Sequence, residues 1–308
     1  MLTVTLIGTA ATMPLPERAL SSAAVCCNGR WLLIDCGEGT QAAARRAHVS
    51  LMKVDVIALT HYHGDHIFGL PGLLQTMGSM NRQEPLTILG PEGLEKAMAP
   101  ILQLAEELPY PVRLMSLPME GVSMHSLHPA WPAEAWLSAF PTVHRIISQG
   151  YRLELHRAGK FQAEKARALG VPQTMWKELQ QGREVLVEGR VIQPQQVLGP
   201  ARRGVKVVYS GDTMPCDALT EAAAGADLLI HEATYPTSDY MEKAEEYGHS
   251  TFVQAGEIAA AAGVRRLWLT HYSAMISDPA EHLPLAQEHF PQAECGADGM
   301  SVQLLFDR

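Results

Sequence analysis

Three histidines and an aspartate fall within residues 61–66: His61, His63, Asp65 and His66, in the stretch "HYHGDH". Imidazole and carboxylate are ligand types that zinc favours, and a hydrolytic zinc site keeps one coordination position open for water. His61 and His63 stand two residues apart on an extended segment, so their rings can point the same way. The chain then turns at Gly64, which puts Asp65 and His66 at the start of the following helix, where they can face a second ion. A lone histidine on an apolar face is usually a hydrogen-bonded core residue. Four ligand-type residues at this spacing reverse that expectation.

Further ligands are expected far off in sequence, at the ends of other strands. His144 in "FPTVHRIISQGYRLEL", Asp212 in "VVYSGDT" and His271 in "LWLTHYS" each lie beside a predicted strand end. Singly each is a weak signal, since an aspartate after a strand is often a turn residue; their shared position makes them a set. With the first four they suit two metal ions about 3.5–4 Å apart, bridged by one carboxylate. Two more places are polar in apolar settings: His231 and Glu232 in "DLLIHEAT", and His249 in "YGHSTF". On residue type alone, Glu232 reads as a partner behind the ligands or a buried hydrogen-bond hub, and His249 as a helix cap.

The elements that must position these residues alternate. Strand-like runs "LTVTLIG", "AAVCCNG", "RWLLIDCG", "VDVIALT" and "PLTILG" are punctuated by Gly and Asn. Helical patterns follow at about 39–49, 66–78 and 91–107, and the second half repeats the alternation, with a helix opening near Ser250 or Thr251 as N-cap. Two β-rich halves with interspersed helices predict an α/β protein of two packed sheets with helices outside.

At 308 residues with 47% apolar content, the chain can fill one large α/β domain, 1–308. No apolar run of membrane-spanning length occurs, and the opening "MLTVTLIGTAATMP" reads as a first strand rather than a signal peptide. Five cysteines without paired CxxC spacing argue against a disulfide framework and for a reducing, cytoplasmic setting. The net charge of −9 hides an asymmetry. Residues 157–206 carry ten Lys and Arg against four acids, a local excess of six that leaves the rest of the chain at −15. This Gly- and Pro-punctuated stretch breaks the strand–helix rhythm and reads as a protruding basic arm able to meet phosphates.

The motifs "THYHGDHIFGLPGLL", "DCGEGTQ", "YSGDT", "HEAT", "GHST" and "LTHYS" resemble the metallo-β-lactamase superfamily and, within it, the ribonuclease Z family of tRNA 3′-end endonucleases. The resemblance runs from "LIGTAATMP" to "ADGM". It implies an αββα sandwich holding two zinc ions, other divalent ions being possible. His61, His63 and His144 would hold one ion and Asp65, His66 and His271 the other, with Asp212 between them. Asp65 matches the family's proton acceptor, and Glu232 with His249 a pair that passes a proton to the leaving oxygen. The resemblance also implies precursor tRNA as substrate, an arm that grips the tRNA elbow, a homodimer in which one subunit's arm serves the other, and no nucleotide cofactor. The chain departs from the family's usual residues at Gln173 and Thr174 in the arm, at Ile147 and at Met275.

Two rival functions share these residues. One is a dinuclear zinc hydrolase of the same fold that acts on small phosphodiesters, sulfate esters or lactones, for which a basic arm is superfluous. The other is a non-catalytic RNA-binding module that keeps zinc for stability, for which an intact Asp65 is superfluous.

Overall fold

The computed structural model describes residues 1–308 except Glu106, Met119 and Arg308. The chain forms two compact units. One comprises Met1–Glu154 and Val205–Leu305; the other comprises Leu155–Gly204 with the C-terminal residues from Phe306 on.

In chain order, the first sheet is built from β1 (Leu2–Gly8), β2 (Ser22–Cys27), β3 (Arg30–Ile34), β4 (Val54–Ala58), β5 (Leu86–Leu89) and β6 (Val112–Met115). The last strand, β16 (Ser301–Leu304), returns to pair with β1, giving the order β16-β1-β2-β3-β4-β5-β6. It is antiparallel from β16 to β3 and parallel from β3 to β6. The second sheet contains β7 (Val122–Ser123), β8 (Ala135–Pro141), β9 (Gln149–Arg157), β12 (Arg202–Tyr209), β13 (Leu228–Glu232), β14 (Leu267–Thr270) and β15 (Ala293–Cys295). Its order is β15-β14-β13-β12-β9-β8-β7, parallel from β12 to β15.

The apolar pattern explains the layering. β4 "VDVIA", β13 "LLIHE" and β14 "LWLT" are buried at every residue, as parallel strands covered on both faces must be. Leu33 and Ile57 on the first sheet pack with Leu73, Leu74, Leu94 and Met98 from the helices Leu70–Ser79 and Leu94–Leu104. Leu229, Leu267 and Leu269 on the second sheet pack with Leu219, Phe252 and Ala259 from the helices Asp217–Ala223 and Phe252–Ala262. The alternate residues Leu32, Val56, Leu228, Ile230 and Trp268 are also buried, on the opposite faces of their strands. The result is the expected helix–sheet–sheet–helix sandwich, the metallo-β-lactamase fold.

The helix expected over 66–78 is two pieces, Gly64–Ile67 and Leu70–Ser79. The break lies where the chain passes close to the loop after β3: a Cβ on Gly69 would lie 2.2 Å from the Gly37 carbonyl oxygen. The Gly69 N–H instead donates to the Cys36 carbonyl at 2.9 Å, which locks the loop after β3 onto the metal-type motif. Thr251 is the N-cap of Phe252–Ala262, in a reciprocal capping box with Gln254.

The smaller unit has its own core, in which Ala166, Val171, Leu179, Ile192 and Val197 are buried. β10 (Val185–Val187) and β11 (Arg190–Ile192) form a hairpin whose turn residues Glu188 and Gly189 both have positive φ, 48° and 80°, as a type I′ turn requires. The unusual "PQT" stretch leads into a short 3₁₀ turn, Gln173–Met175, with the Trp176 indole N–H donating to the Val171 carbonyl at 3.0 Å. Among the described residues no helix is long and apolar enough to cross a membrane.

Candidate metal centre

All seven expected ligands lie in the larger unit, in loops and one short helix beside strand ends. The loop after β4 delivers His61, His63, Asp65 and His66; Asp212 follows β12, and His271 follows β14 in the left-handed region at φ 58°. His144 precedes β9. Parallel strands that run the same way bring the loops after them to one edge of the sheet, where open α/β sheets bind ligands.

Two four-residue sets result, each with donor atoms within 4.8 Å of one another: His61, His63, His144 and Asp212, and Asp65, His66, His271 and Asp212. In the first, His63 Nδ1 is 3.0 Å from His61 Nε2 and 3.1 Å from His144 Nε2. In the second, His66 Nε2 is 3.3 Å from His271 Nε2, and Asp65 Oδ2 is 3.4 Å from His271 Nε2. Asp212 Oδ2 belongs to both, at 3.6 Å from His61 and 3.3 Å from each of His66 and His271. Ligands 2.0–2.1 Å from a tetrahedral zinc are separated by about 3.3 Å, so the donors already stand at coordination spacing.

The groups behind the rings decide which nitrogen faces inward. His66 Nδ1 donates to Asp35 Oδ2 at 2.8 Å and His144 Nδ1 to the Gly248 carbonyl at 2.7 Å. The Thr60 hydroxyl spends its proton on Asp35 Oδ2 at 2.9 Å, so His61 Nδ1 must donate to Thr60, 3.0 Å away. The Thr234 hydroxyl spends its proton on Glu232 Oε2 at 2.6 Å, so His271 Nδ1 must donate to Thr234 at 2.8 Å. Each of these four rings therefore turns its Nε2 into the same space; with no cation bound His66 keeps a proton there, because burial works against its charge but Asp212 and Asp35 lift it well above the ordinary imidazole range. Burial, reinforced by neighbouring His66, holds His61 well below the ordinary imidazole range, and burial lowers His63 and His144 too. Burial opposes charge on Asp212, yet His271 and His66 hold it ionised. Converging lone pairs around a carboxylate are stabilised by a cation, and the residues present fit divalent metal ions.

Beside this centre Glu232 Oε1 meets His249 Nδ1 at 2.8 Å. Backbone N–H groups of Thr213 and Thr234 also donate to Glu232, at 2.9 and 3.1 Å. Burial works against the imidazolium of His249, but the Glu232 carboxylate outweighs it and lifts the ring to about 9. Glu232 is pushed up by burial but, on balance, held below its ordinary range by His249. His249 is not the cap of the helix that follows, a role taken by Thr251. His231, one residue before Glu232, faces away from the centre, because successive strand residues point to opposite faces; its Nδ1 donates to the Glu232 carbonyl at 2.6 Å.

Asp35 and Thr234 carry almost no signal as site residues in the sequence. Position is all that marks them: Asp35 opens "DCGEG" at a strand end with φ 58°, and Thr234 closes "HEAT". The centre opens into a cleft of about 770 Å³ lined by His63, Asp65, His144, Asp212 and His249. Ile147 and Met275 are exposed and are not among its lining residues.

Family models match the chain twice: the metallo-β-lactamase superfamily over residues 19–78 and a β-lactamase superfamily domain over residues 154–272. A ribonuclease Z of Agathobacter rectalis is 42% identical over 309 aligned positions, covering 100% of this chain and 99% of the relative. A ribonuclease Z of Ignicoccus hospitalis is 38% identical, covering 97% of each. The crystal structure of the short form of human tRNase Z superposes with a TM-score of 0.68 at 26% identity, covering 99% of this chain and 100% of that one.

Proposed function

The chain belongs to the ribonuclease Z family of the metallo-β-lactamase superfamily, and on that footing we propose that it is a metal-dependent endoribonuclease that removes the 3′ trailer of precursor tRNA. The products are a tRNA with a free 3′ hydroxyl and a trailer with a 5′ phosphate. The observation that supports this reading best is the joint presence in one cleft of two donor sets sharing Asp212 and of the Glu232–His249 pair.

In this reading the metals are two Zn²⁺, one held by His61, His63 and His144, the other by Asp65, His66 and His271, with Asp212 shared. When bound, the ions supply a water acidic enough to attack phosphorus near neutral pH and offset the charge that builds on the phosphate. Asp65, fixed by the Thr12 N–H at 2.8 Å, orients the nucleophile and accepts its proton. His249, charged by Glu232, gives a proton to the leaving 3′ oxygen, which is otherwise a poor leaving group. Incubating the protein with end-labelled precursor tRNA tests the proposal: a single cut at the base of the trailer is expected. Turnover of bis-p-nitrophenyl phosphate without any cut in the RNA would favour a small-ester hydrolase instead. The family relation supports a homodimer, which sedimentation can check, and the five free cysteines support a cytoplasmic setting.

Glu232→Gln and His249→Ala should each slow cleavage of precursor tRNA by roughly 10²–10⁴-fold, the usual size of proton-transfer catalysis. The double variant should be little slower than either single one, because the two act as a unit. An activated nitrophenyl ester, whose leaving group needs no proton, should lose far less. Equal losses on both substrates would make the pair structural.

Residues 155–204 hold nine Lys and Arg against four acids. Glu154 and Lys206, at their two ends, form an ion pair at 3.7 Å, so a short Gly/Ser bridge can replace the whole unit. That deletion should leave small-ester hydrolysis nearly unchanged and weaken precursor-tRNA binding. The dependence of log K on log salt should flatten by about 0.7–0.9 for every phosphate that the deleted unit neutralises in the parent. Unchanged affinity and salt slope would make the arm an ordinary surface insertion.

A further inference from the structure

Beyond the metal cleft lies a second groove of about 560 Å³, and the two share Glu38 and Phe68. The second groove continues along the helix Thr40–Arg46 to Arg45 and Arg46. Phe68 is 69% exposed, which is unusual for a phenylalanine two residues after a buried histidine. Its ring covers the loop at Gly64, where a Cβ would come within 2.3 Å of it. Phe68 is thus held in place while its other face stays open. The side chains of Arg45 and Arg46 are exposed and make no hydrogen bond or ion pair with the described residues, although the Asp298 carboxyl feels the charge of Arg46.

The two rims of the metal cleft come from different sheets. Glu38, His63, Asp65 and Phe68 belong to loops after β3 and β4; Asp212 and His249 come from the second half of the chain, after β12 and β13. In the reaction proposed above, the leaving 3′ oxygen belongs to the tRNA and takes its proton from His249. The tRNA end therefore lies toward the second rim. The scissile phosphate stays with the trailer, so the trailer's first nucleotides run toward the first rim, and the second groove is the continuation of that rim.

We infer that this groove binds the single-stranded trailer beyond its first nucleotide, with Phe68 as a stacking platform and Arg45 and Arg46 as phosphate partners. An exposed ring flanked by unpaired guanidinium groups is the combination by which proteins hold single strands without reading sequence. Glu38, at the junction, is a hydrogen-bond acceptor suited to a 2′ hydroxyl or a base amino group. The trailer is thereby held by stacking and charge, and longer trailers reach a ring and guanidinium groups that a one-nucleotide trailer cannot.

The inference rests on the precursor-tRNA reading, and the test keeps the two apart. Steady-state cleavage is measured on one precursor tRNA carrying trailers of one and of about ten nucleotides, with bis-p-nitrophenyl phosphate as control. For Phe68→Ala and for the double variant Arg45→Ala/Arg46→Ala, KM for the long trailer should rise by about 10-fold, the scale of one base stack or of a pair of phosphate interactions. The one-nucleotide trailer and the small ester should change less than about twofold, and Phe68→Tyr should restore the long-trailer KM. The double arginine variant should also flatten the salt dependence for the long trailer by about 0.7 per phosphate freed. Equal effects on both trailer lengths, or none, overturn the inference while leaving the precursor-tRNA reading intact. Wild-type protein that leaves both RNAs uncut overturns that reading itself. Loss of small-ester turnover in Phe68→Ala would show damage to the Gly64 loop, and the arginine variant then decides alone.

Discussion

Asp65→Ala is expected to give a folded protein that cleaves precursor tRNA on the order of 10³–10⁵-fold more slowly than the parent. Folding survives because Asp65 sits in the first turn of the short helix Gly64–Ile67, outside both sheet–helix cores. What the fold loses is the acceptor for the Thr12 N–H, an exposed hydrogen bond that water can replace, worth about 0.5–1.5 kcal/mol. The four-residue set of His61, His63, His144 and Asp212 is untouched, and His66, His271 and Asp212 remain in the other. The chemistry suffers more. The same oxygen stands 3.4 Å from His271 and 3.8 Å from His66, so one substitution removes a donor and the acceptor that orients the nucleophile. Circular dichroism, metal content by mass spectrometry and single-turnover cleavage are the measurements. More than about a tenth of the parent rate, with metal bound, would mean that Asp65 does not have this role.

The seven donor residues were legible in the sequence because each breaks an apolar run at a strand end, and because four of them crowd into residues 61–66. Their partition into two sets came from the family resemblance alone, since residue spacing does not show which strands become neighbours. His144 and His61 are far apart in sequence, and their rings meet at 5.0 Å only because the two sheets close over one edge. The residues that fix the rings were harder still. Asp35, Thr60 and Thr234 are small polar residues in turns, where the default reading is local hydrogen bonding. Only their burial, at 0%, 0% and 4% exposure, marks them as partners of histidines. His231 and Glu232 carried the same signal, a polar residue in an apolar strand, yet period-two alternation sends only Glu232 toward His249. The helix read as continuous over 66–78 failed for another reason. Its periodicity is sound, but the close approach of the loop at Gly37 is a tertiary fact.

Asp212→Ala should be the most damaging single change in the molecule, and it differs from Asp65→Ala in kind. Asp212 is the member common to both donor sets. Its Oδ2 lies within 3.6 Å of ring nitrogens of His61, His66 and His271. Without it the first set is three neutral imidazoles with no anionic partner, and the second keeps only Asp65 as a carboxylate. Bound metal should therefore fall in both sets together, whereas Asp65→Ala should affect one. Activity should drop by about 10⁴-fold or more, since nucleophile activation and charge neutralisation both depend on the ions. Asp212→Asn is the companion variant: it keeps the volume and one acceptor but not the charge. Buried lone pairs that lose their cation lose stability as well, because binding to the native state stabilises it by RT ln(1 + [L]/Kd). Added Zn²⁺ should thus raise the melting temperature of the parent clearly, that of Asp65→Ala less, and that of Asp212→Ala hardly at all. If Asp212→Ala binds as much metal as the parent and cleaves within tenfold of its rate, the carboxylate is not shared, and the two donor sets act independently.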